Sequence, residues 1–164
     1  MAFDPLKTLE VLEHHHVNFV VVGGMAAVMH GSDMSTFDLD VTPERRRENL
    51  ERLSDALREL GARIRIEGAP EGVAFDFSAE FLAPLSVLNL TTVHGDLDLV
   101  MTPAGLGGYD DMTAGAQRVE IDGVTIHVAS LADVIASKEA SNRVKDRLTL
   151  PGLRVLQRKI AEGE

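Results

Sequence analysis

The sequence predicts a single domain of the α/β class (α+β), in which strands and helices follow one another along the chain. The chain has 164 residues, a length that buries roughly 70% of its unfolded surface and suits one hydrophobic core. The run Phe19–Val22 is apolar and mostly β-branched, which is typical of a central strand buried on both faces. Four leucines recur at helical spacing, at Leu50, Leu53, Leu57 and Leu60.

The chain is predicted to begin with a short helix, the buried strand and a second short helix. Asp4 and Pro5 suit the N-cap and the first helical position, and this helix is expected to end near His14–His16. Gly23-Gly24 is expected to stop the buried strand, because paired glycines favour a turn. A short apolar helix is then expected at residues 25–30.

The next segment, Phe37–Val41, alternates apolar and acidic residues and predicts a half-buried strand. Since side chains two residues apart point the same way in a strand, Asp38 and Asp40 share one face. Thr42-Pro43 is expected to cap the leucine-rich helix, and Gly61 is expected to end it.

The second half of the chain is expected to contain further strands and two helices near its end. Asp122-Gly123 between two alternating runs is a strong hairpin signal. Ser130, with Asp133 three residues later, resembles a capping box at the start of a helix. The predicted segments are a loop at 66–72, a short strand at 75–77, strands at 85–93 and 97–101, a loop at 103–108, strands at 118–121 and 124–128, a helix at 131–142 and a last helix after Pro151.

The composition supports one globular unit. Hydrophobic residues make up 45% of the chain and charged residues 26%, which is ordinary for a folded domain and argues against disorder. The sequence contains no repeat, low-complexity tract or linker. We therefore expect residues 1–164 to form a single domain, with a core at about 17–130 and a C-terminal helical part at about 130–162.

Charge and motif content exclude several classes of protein. The net charge of −10 argues against a general nucleic-acid coat protein. A chain without cysteine has no disulfide scaffold, thiolate zinc site or cysteine nucleophile. The first residues do not resemble a leader, and no run approaches the roughly 18 apolar residues of a membrane span, so we expect a cytoplasmic protein with no membrane partner. Rossmann and Walker patterns are missing as well, which sets aside dinucleotide enzymes and P-loop NTPases.

The charge is unevenly distributed along the chain. Residues 1–129 carry 21 acidic and 9 basic side chains, whereas residues 130–164 carry 5 acidic and 7 basic ones. All seven of these basic residues lie between Lys138 and Lys159. The net negative charge argues against broad, non-specific RNA affinity, but it is compatible with binding of one RNA end to a basic C-terminal face.

Carboxylates are the candidates for a metal site. If this segment is a strand, Asp38 and Asp40 lie about 7 Å apart on one face, so they can hold neighbouring divalent cations. Hard ions such as Mg²⁺ bind carboxylate oxygens, and two ions can stabilise both the attacking and the leaving oxygen of a phosphoryl displacement. A third carboxylate from another strand would complete the site; Asp98 is the preferred candidate, and Asp96 and Asp76 are its rivals.

Other residues are candidates for contact with phosphate, and each also has an ordinary structural explanation. Gly23-Gly24, between a strand and a helix, can present backbone N–H groups to an anion or simply form a turn. Lys138 and Arg143 can neutralise phosphate or belong to a solvated basic face. Ser32 can touch phosphate or hydrogen-bond within its own turn.

A set of short segments carries a family resemblance: Val22–Gly24, His30-Gly31, Thr36–Asp40, Gly95–Leu99, Val128–Ile135, Ser137-Lys138 and Arg143–Asp146. In this order the chain resembles the nucleotidyltransferase superfamily that shares the DNA polymerase β fold. Within it, the chain is similar to small bacterial members grouped with the AbiEii-type toxins of type IV toxin–antitoxin systems. The likeness runs from about residue 17 to 156. It implies a mixed β-sheet flanked by helices, with C-terminal helices and a two-metal site at one sheet edge.

The resemblance implies transfer of a nucleoside monophosphate from an NTP with release of pyrophosphate. By position, Gly23 and Gly24 would hold the triphosphate. Asp38 and Asp40 would bind two Mg²⁺ ions. Asp98 would complete the catalytic metal site and help to activate the acceptor hydroxyl.

The same resemblance extends to the C-terminal part. It implies that Lys138 steadies the triphosphate and that Arg143 and Asp146 support the site, with Thr36 as a further nucleotide contact. Relatives commonly carry an arginine two residues before this threonine, where the chain has Met34. That difference puts one phosphate or acceptor contact of the family in question.

The leading functional hypothesis is an Mg²⁺-dependent nucleotidyltransferase that acts on tRNA 3′ ends as the toxin of a toxin–antitoxin pair. Its expected partners are an NTP, tRNA and a cognate antitoxin, and no DNA partner is expected. The alternative acceptor is a small molecule such as an aminoglycoside, or a protein hydroxyl, since the same chemistry would serve. Aromatic residues, which stack on RNA bases, make up only 4% of the chain, and this weakens the case for RNA. A third hypothesis is a catalytically degenerate antitoxin or binding module, which Met34 motivates.

Overall fold

The computed structural model describes residues 2–163 of the chain. These residues contain a mixed sheet of eight strands. Residues 1 and 164 of the predicted domain lie outside this range. The strands are β1 (Phe19–Val22), β2 (Asp38–Pro43), β3 (Arg63–Ile66), β4 (Ala69–Val73), β5 (Val87–Thr92), β6 (Gly95–Val100), β7 (Gln117–Ile121) and β8 (Val124–Val128). The helices in this range are α1 (Pro5–His14), α2 (Gly23–Met29), α3 (Arg47–Glu59), α4 (Ala79–Leu82), α5 (Tyr109–Thr113), α6 (Leu131–Ser141) and α7 (Val144–Ala161). None of these helices has the length and apolar character required to cross a membrane.

The strand order is β4-β3-β5-β6-β2-β1-β8-β7, so β2 lies near the centre of the sheet. β2 is antiparallel to β1 and parallel to β6, and β1 is parallel to β8. The remaining neighbours pair in antiparallel fashion. This topology places β2, which carries Asp38 and Asp40, directly beside β6, which carries Asp96 and Asp98.

The core lies around the central strands. Val20, Val21 and Val41 have no exposed surface, as their apolar, β-branched character predicts. The leucines of α3 are also buried, because their helical spacing places them on one face of the helix. Burial of this apolar surface supplies the main stabilising term and makes the strands of the site a rigid platform.

Several predicted elements are confirmed. Asp4 caps α1, accepting a hydrogen bond from the Lys7 N–H, and Pro5 is its first residue. The β7–β8 hairpin turns at Asp122-Gly123, where φ is 50° and 83°. A two-residue type I′ turn requires positive φ at both central residues. Ser130 caps α6 by accepting the Asp133 N–H. The predicted strands at 85–93 and 97–101 correspond to the hairpin of β5 and β6.

The predicted helix cap at Thr42-Pro43 is wrong, because both residues belong to β2. Thr42 donates its hydroxyl hydrogen to the Val100 carbonyl oxygen at 2.6 Å, and Pro43 pairs with Phe19 of β1. A residue that precedes proline favours extended backbone, which continues the strand. α3 therefore begins later, at Arg47.

The predicted loop at 66–72 and strand at 75–77 are also wrong. Residues 63–73 form the β3–β4 hairpin. Pro70 is tolerated in β4 because this strand lies at the sheet edge, where a missing N–H breaks no ladder hydrogen bond. Phe75–Phe77 is irregular instead; Phe77 is buried in the core, and the Phe75 ring stacks on Phe81 at 4.3 Å between centroids.

The last helix begins before Pro151, whereas the sequence predicted it to begin after that residue. α7 starts at Val144, and Pro151 lies inside it. The Asp146 carboxylate, in the first turn, accepts the Arg143 N–H and so stabilises the helix start. Leu150 and Leu153 are buried on either side of the proline, so packing offsets the one hydrogen bond that proline removes.

Candidate active site

Three carboxylates meet where β2 and β6 run side by side. The parallel register places Asp40 opposite Asp98 and Asp38 opposite Asp96. One oxygen from each of Asp38, Asp40 and Asp98 lies within 4.8 Å of the others. Period-two geometry along β2 and the register with β6 therefore produce a cluster that neither strand could form alone.

The two rivals for the third position lie elsewhere. Asp96 is on the same sheet face as Asp98, but its Oδ2 is 3.3 Å from Arg65 Nη1 and it is not part of the three-oxygen group. The Asp76 side chain is 78% exposed and pairs with Arg58 of α3. Proximity thus favours Asp98, the candidate that the sequence argument preferred.

Burial and mutual repulsion both disfavour the ionised form of the clustered carboxylates. Burial, followed by the negative charges of Asp38 and Asp98, raises the pKa of Asp40 to about 7. Burial also raises the pKa of Asp98, although the guanidinium of Arg65 acts in the opposite direction. A cation among these oxygens would remove the cause of the repulsion.

The donor set fits a hard divalent cation. Asp40 Oδ1 is buried and has no hydrogen-bond partner within residues 2–163, and a buried polar atom without a partner calls for an explanation such as an ion. All three side chains offer carboxylate oxygens, which are the ligands of Mg²⁺. Asp38, Asp40 and Asp98 are therefore the residues that would hold it.

Gly23, at the start of α2, permits the close approach of Asp40. Its φ is 66°, in the left-handed region. A Cβ at this position would lie 2.3 Å from Asp40 Oδ2. At Gly24 a Cβ would lie 3.1 Å from Thr36 Oγ1, and that hydroxyl is 3.3 Å from the Asp38 carbonyl oxygen. The glycine pair thus leaves space for the side chains of Asp40 and Thr36, and both glycines also line the cavity described below.

Three basic residues, Lys138, Arg143 and Lys145, face the carboxylates at the junction of α6 and α7 and form what we call the basic wall. Lys138 Nζ lies 3.6 Å from Asp146 Oδ1, and Arg143 Nε donates to Asp146 Oδ2 at 3.1 Å. Asp146 is almost completely buried, and burial alone would raise its pKa, but hydrogen bonds from Ser141 and Arg143 outweigh burial and lower it. One ionised carboxylate therefore orients two cations.

A cavity of about 330 Å³ lies between the carboxylates and the basic wall. Ser32 is not among the described residues that line this cavity, and its Oγ accepts the Met34 N–H at 3.3 Å, which matches its turn interpretation. The predicted site residues that line the cavity are Gly23, Gly24, Thr36, Asp38, Asp40, Asp98, Lys138 and Arg143.

Sequence reasoning missed several residues at the site. Lys145 lines the cavity, and its charge lowers the pKa of Asp40. Val87 and Asn89 of β5 also line it, and Asn89 pairs with Asp98 in the strand register. Arg65 of β3 donates to Asp98 Oδ1 at 2.9 Å. The alternation of Arg63–Ile66 was the available signal for Arg65, whereas the others depend on tertiary contacts.

A comparison with protein-family models matches residues 3–157 to the family described as "Nucleotidyltransferase of unknown function (DUF6036)". A comparison with curated proteins found no match. The matched range contains both acidic strands and the basic wall.

Solved structures share the fold. The lincosamide antibiotic adenylyltransferase LnuA, with lincomycin bound, is 15% identical at a TM-score of 0.61, covering 93% of this chain and 95% of LnuA. ANT(2")-Ia in complex with adenylyl-2"-tobramycin is 14% identical at a TM-score of 0.55, covering 96% of this chain and 95% of that protein. The nucleotidyltransferase candidate TM1012 from Thermotoga maritima is 16% identical at a TM-score of 0.56, covering 90% of this chain and 88% of TM1012. The predicted mixed-sheet fold of nucleotidyltransferases is confirmed.

Proposed function

The chain belongs to the DUF6036 family of nucleotidyltransferases, and we propose that it transfers a nucleoside monophosphate from an NTP to an acceptor hydroxyl. The observation that carries this proposal is the group of Asp38, Asp40 and Asp98, whose oxygens lie within 4.8 Å of one another beside a basic wall. We propose that these three side chains hold two Mg²⁺ ions. When bound, such ions neutralise phosphate charge and polarise the reacting oxygens.

The chain's own residues supply the remaining requirements of the reaction. In the transfer, a bond forms between the acceptor oxygen and the α-phosphorus, the bond to the leaving pyrophosphate breaks, and the hydroxyl proton is released. Asp98, held by Arg65 at the edge of the cluster, is the proposed acceptor of that proton. Lys138 and Arg143 are the proposed contacts of the triphosphate, because cations there stabilise the charge that develops on pyrophosphate.

We propose a tRNA 3′ end as the acceptor, with the protein acting as the toxin of an AbiEii-type toxin–antitoxin pair in the cytoplasm. Two observations support this choice. The carboxy-terminal segments carry the toxin-like resemblance, and the seven basic residues between Lys138 and Lys159 would attract a polyanion to the cavity. We also propose two nucleotide contacts, namely Thr36, which lines the cavity, and Ser32, which is not part of the lining.

The test is incubation of the purified protein with α-phosphate-labelled NTPs, Mg²⁺ and bulk tRNA. We expect labelled RNA from the wild type and none from Asp40→Ala. Asp76→Ala is the matched control, because this exposed carboxylate lies outside the cluster, and it should label RNA as the wild type does. Labelling that survives Asp40→Ala would contradict the proposed chemistry.

A small-molecule hydroxyl is the second candidate acceptor. The structures of LnuA and ANT(2")-Ia, which share this fold, contain lincomycin and an adenylylated tobramycin. The cavity of about 330 Å³ lies at the lower end of the range for small-molecule pockets. Mass spectrometry of antibiotic mixtures after incubation with NTPs separates the two candidates: a mass gain of one nucleoside monophosphate on a drug, with none on RNA, would favour this second acceptor.

A further inference from the structure

Arg65 links the carboxylate cluster to a strand outside it. Its Nη2 donates to Asp98 Oδ1 at 2.9 Å, and its Nη1 donates to the Leu90 carbonyl oxygen at 2.8 Å. The same Nη1 lies 3.3 Å from Asp96 Oδ2. The guanidinium is therefore fixed at three points, two on β6 and one on β5, and its planar shape leaves it little freedom to turn.

This arrangement restrains rotation of the Asp98 carboxylate. Arg65 hydrogen-bonds Oδ1, and one oxygen of the same carboxylate lies within 4.8 Å of oxygens of Asp38 and Asp40. Repulsion from these two carboxylates would otherwise favour rotation of Asp98 away from them. Asp40 has no comparable cationic hydrogen-bond partner in the described chain, and it lies in the space that the missing side chain of Gly23 leaves open.

We propose that Arg65 is a positioning residue, which holds the Asp98 carboxylate in the orientation that completes the metal site. This inference rests on the proposed function, since it assumes that the three carboxylates bind a divalent ion. Residues that hydrogen-bond a metal ligand commonly change metal affinity by 10- to 100-fold when they are replaced. Arg65 is suited to this role because a guanidinium binds two carboxylates and a carbonyl oxygen at once.

Arg63 provides a matched control on the same strand face. It lies two residues before Arg65, and its guanidinium donates to the carbonyl oxygens of Glu71 and Gly72 at 2.8 and 3.2 Å. Both of these carbonyl oxygens belong to β4 and lie outside the cluster. Loss of Arg63 removes one cation and one set of β3 contacts while leaving Asp98 in place.

The test measures binding of Mn²⁺ alone by calorimetry, without nucleotide, in variants whose folding is checked by circular dichroism and urea unfolding. We expect Arg65→Ala to weaken Mn²⁺ binding by about tenfold or more, and Arg63→Ala to leave it within about twofold. Arg65→Lys should restore part of the loss, because an ammonium can reach Asp98 but cannot satisfy all three partners. If Arg65→Ala does not fold, Arg65→Gln replaces it under the same criteria.

Two results would overturn the inference. Unchanged affinity in Arg65→Ala would show that Asp98 needs no support, and tighter binding would show that Arg65 competes with the metal. Failure of the proposed function has a different signature, namely a wild-type protein whose Mn²⁺ binding is absent or independent of Asp38 and Asp40.

Discussion

The half-buried Asp40 carboxylate couples the stability of the metal-free protein to pH. Its pKa of about 7 lies above its ordinary value of 3.8. A raised carboxylate pKa means that the folded state binds the proton more tightly than the unfolded state, so this group favours folding at low pH. That contribution is lost as pH rises from about 4 to 7, because the folded protein must then hold three neighbouring negative charges.

Replacing Asp40 by asparagine is expected to remove this pH dependence. In EDTA at pH 8, Asp40→Asn should raise the free energy of unfolding by on the order of 2 kcal/mol, from about 1.4 kcal/mol per pKa unit with a discount for residual solvent exposure. At pH 4 the difference should vanish. Urea unfolding measures both values, and Asp76→Asn, on an exposed carboxylate, is the control. A variant less stable than the wild type at pH 8 would contradict the account.

Gly23 is expected to be required for the approach of Asp40. Gly23→Ala combines the cost of a left-handed backbone, about 1 to 2 kcal/mol, with a Cβ placed 2.3 Å from Asp40 Oδ2. Gly68 has a φ of 85° and open space around the same position, so Gly68→Ala carries the backbone cost alone. We expect urea unfolding to show the larger loss for Gly23→Ala, and calorimetry to show weaker Mn²⁺ binding in that variant only. Equal losses and equal metal binding would count against this role of Gly23.

The acidic residues of the site were accessible to sequence reasoning, whereas their partners were not. Asp38 and Asp40 share a face because of strand periodicity, a local property. The position of Asp98 opposite Asp40 depends on the register between β2 and β6, which are more than 50 residues apart in the chain. Arg65 reaches Asp98 from β3, two strands away in the sheet. A local pattern cannot indicate such a contact.

Among the elements, α6 and α7 share an ion pair centred on one buried carboxylate. Asp146 pairs with Lys138 from α6 and with Arg143 at the start of α7. Both Asp146 and Lys138 have side chains that are at most 10% exposed. This ion pair holds the start of α7 against α6.

Asp146→Asn should therefore weaken both the fold and nucleotide binding. It leaves the Lys138 ammonium buried without its counter-charge, a change that costs about 3 kcal/mol in comparable pairs. Glu139→Gln removes the half-exposed ion pair between Glu139 of α6 and Arg154 of α7, and this change should cost less than about 1 kcal/mol. Urea unfolding and NTP titration compare the two variants. Equal stability of the two would show that the Asp146 pair is not structural.

The elements that were predicted incorrectly share a physical cause. By local preference, Pro70 signals a loop and Pro151 a helix start, but β4 tolerates proline at the sheet edge and α7 tolerates it through packing. In both cases tertiary context outweighed a local preference. The leucine-rich helix and the β7–β8 hairpin were predictable because their local patterns agree with their packing.

At the scale of the whole molecule, charge is segregated across the cavity. The three clustered carboxylates come from the acidic part of the chain, and Lys138, Arg143 and Lys145 come from the part with excess basic residues. The net charge of −10 therefore conceals a site with one acidic wall and one basic wall. That division suits the proposed transfer of a nucleoside monophosphate.

Together, the carboxylate cluster and the basic wall are expected to bind a metal-bound nucleotide. Calorimetric titration of the wild type with each of the four NTPs in Mg²⁺ tests this binding most directly, alongside Asp38→Asn, Asp98→Asn and the exposed control Asp76→Asn. We predict micromolar binding of at least one NTP, loss of that binding in both cluster variants, and no change in the control. Absence of NTP binding, or binding that persists in both cluster variants, would contradict the account.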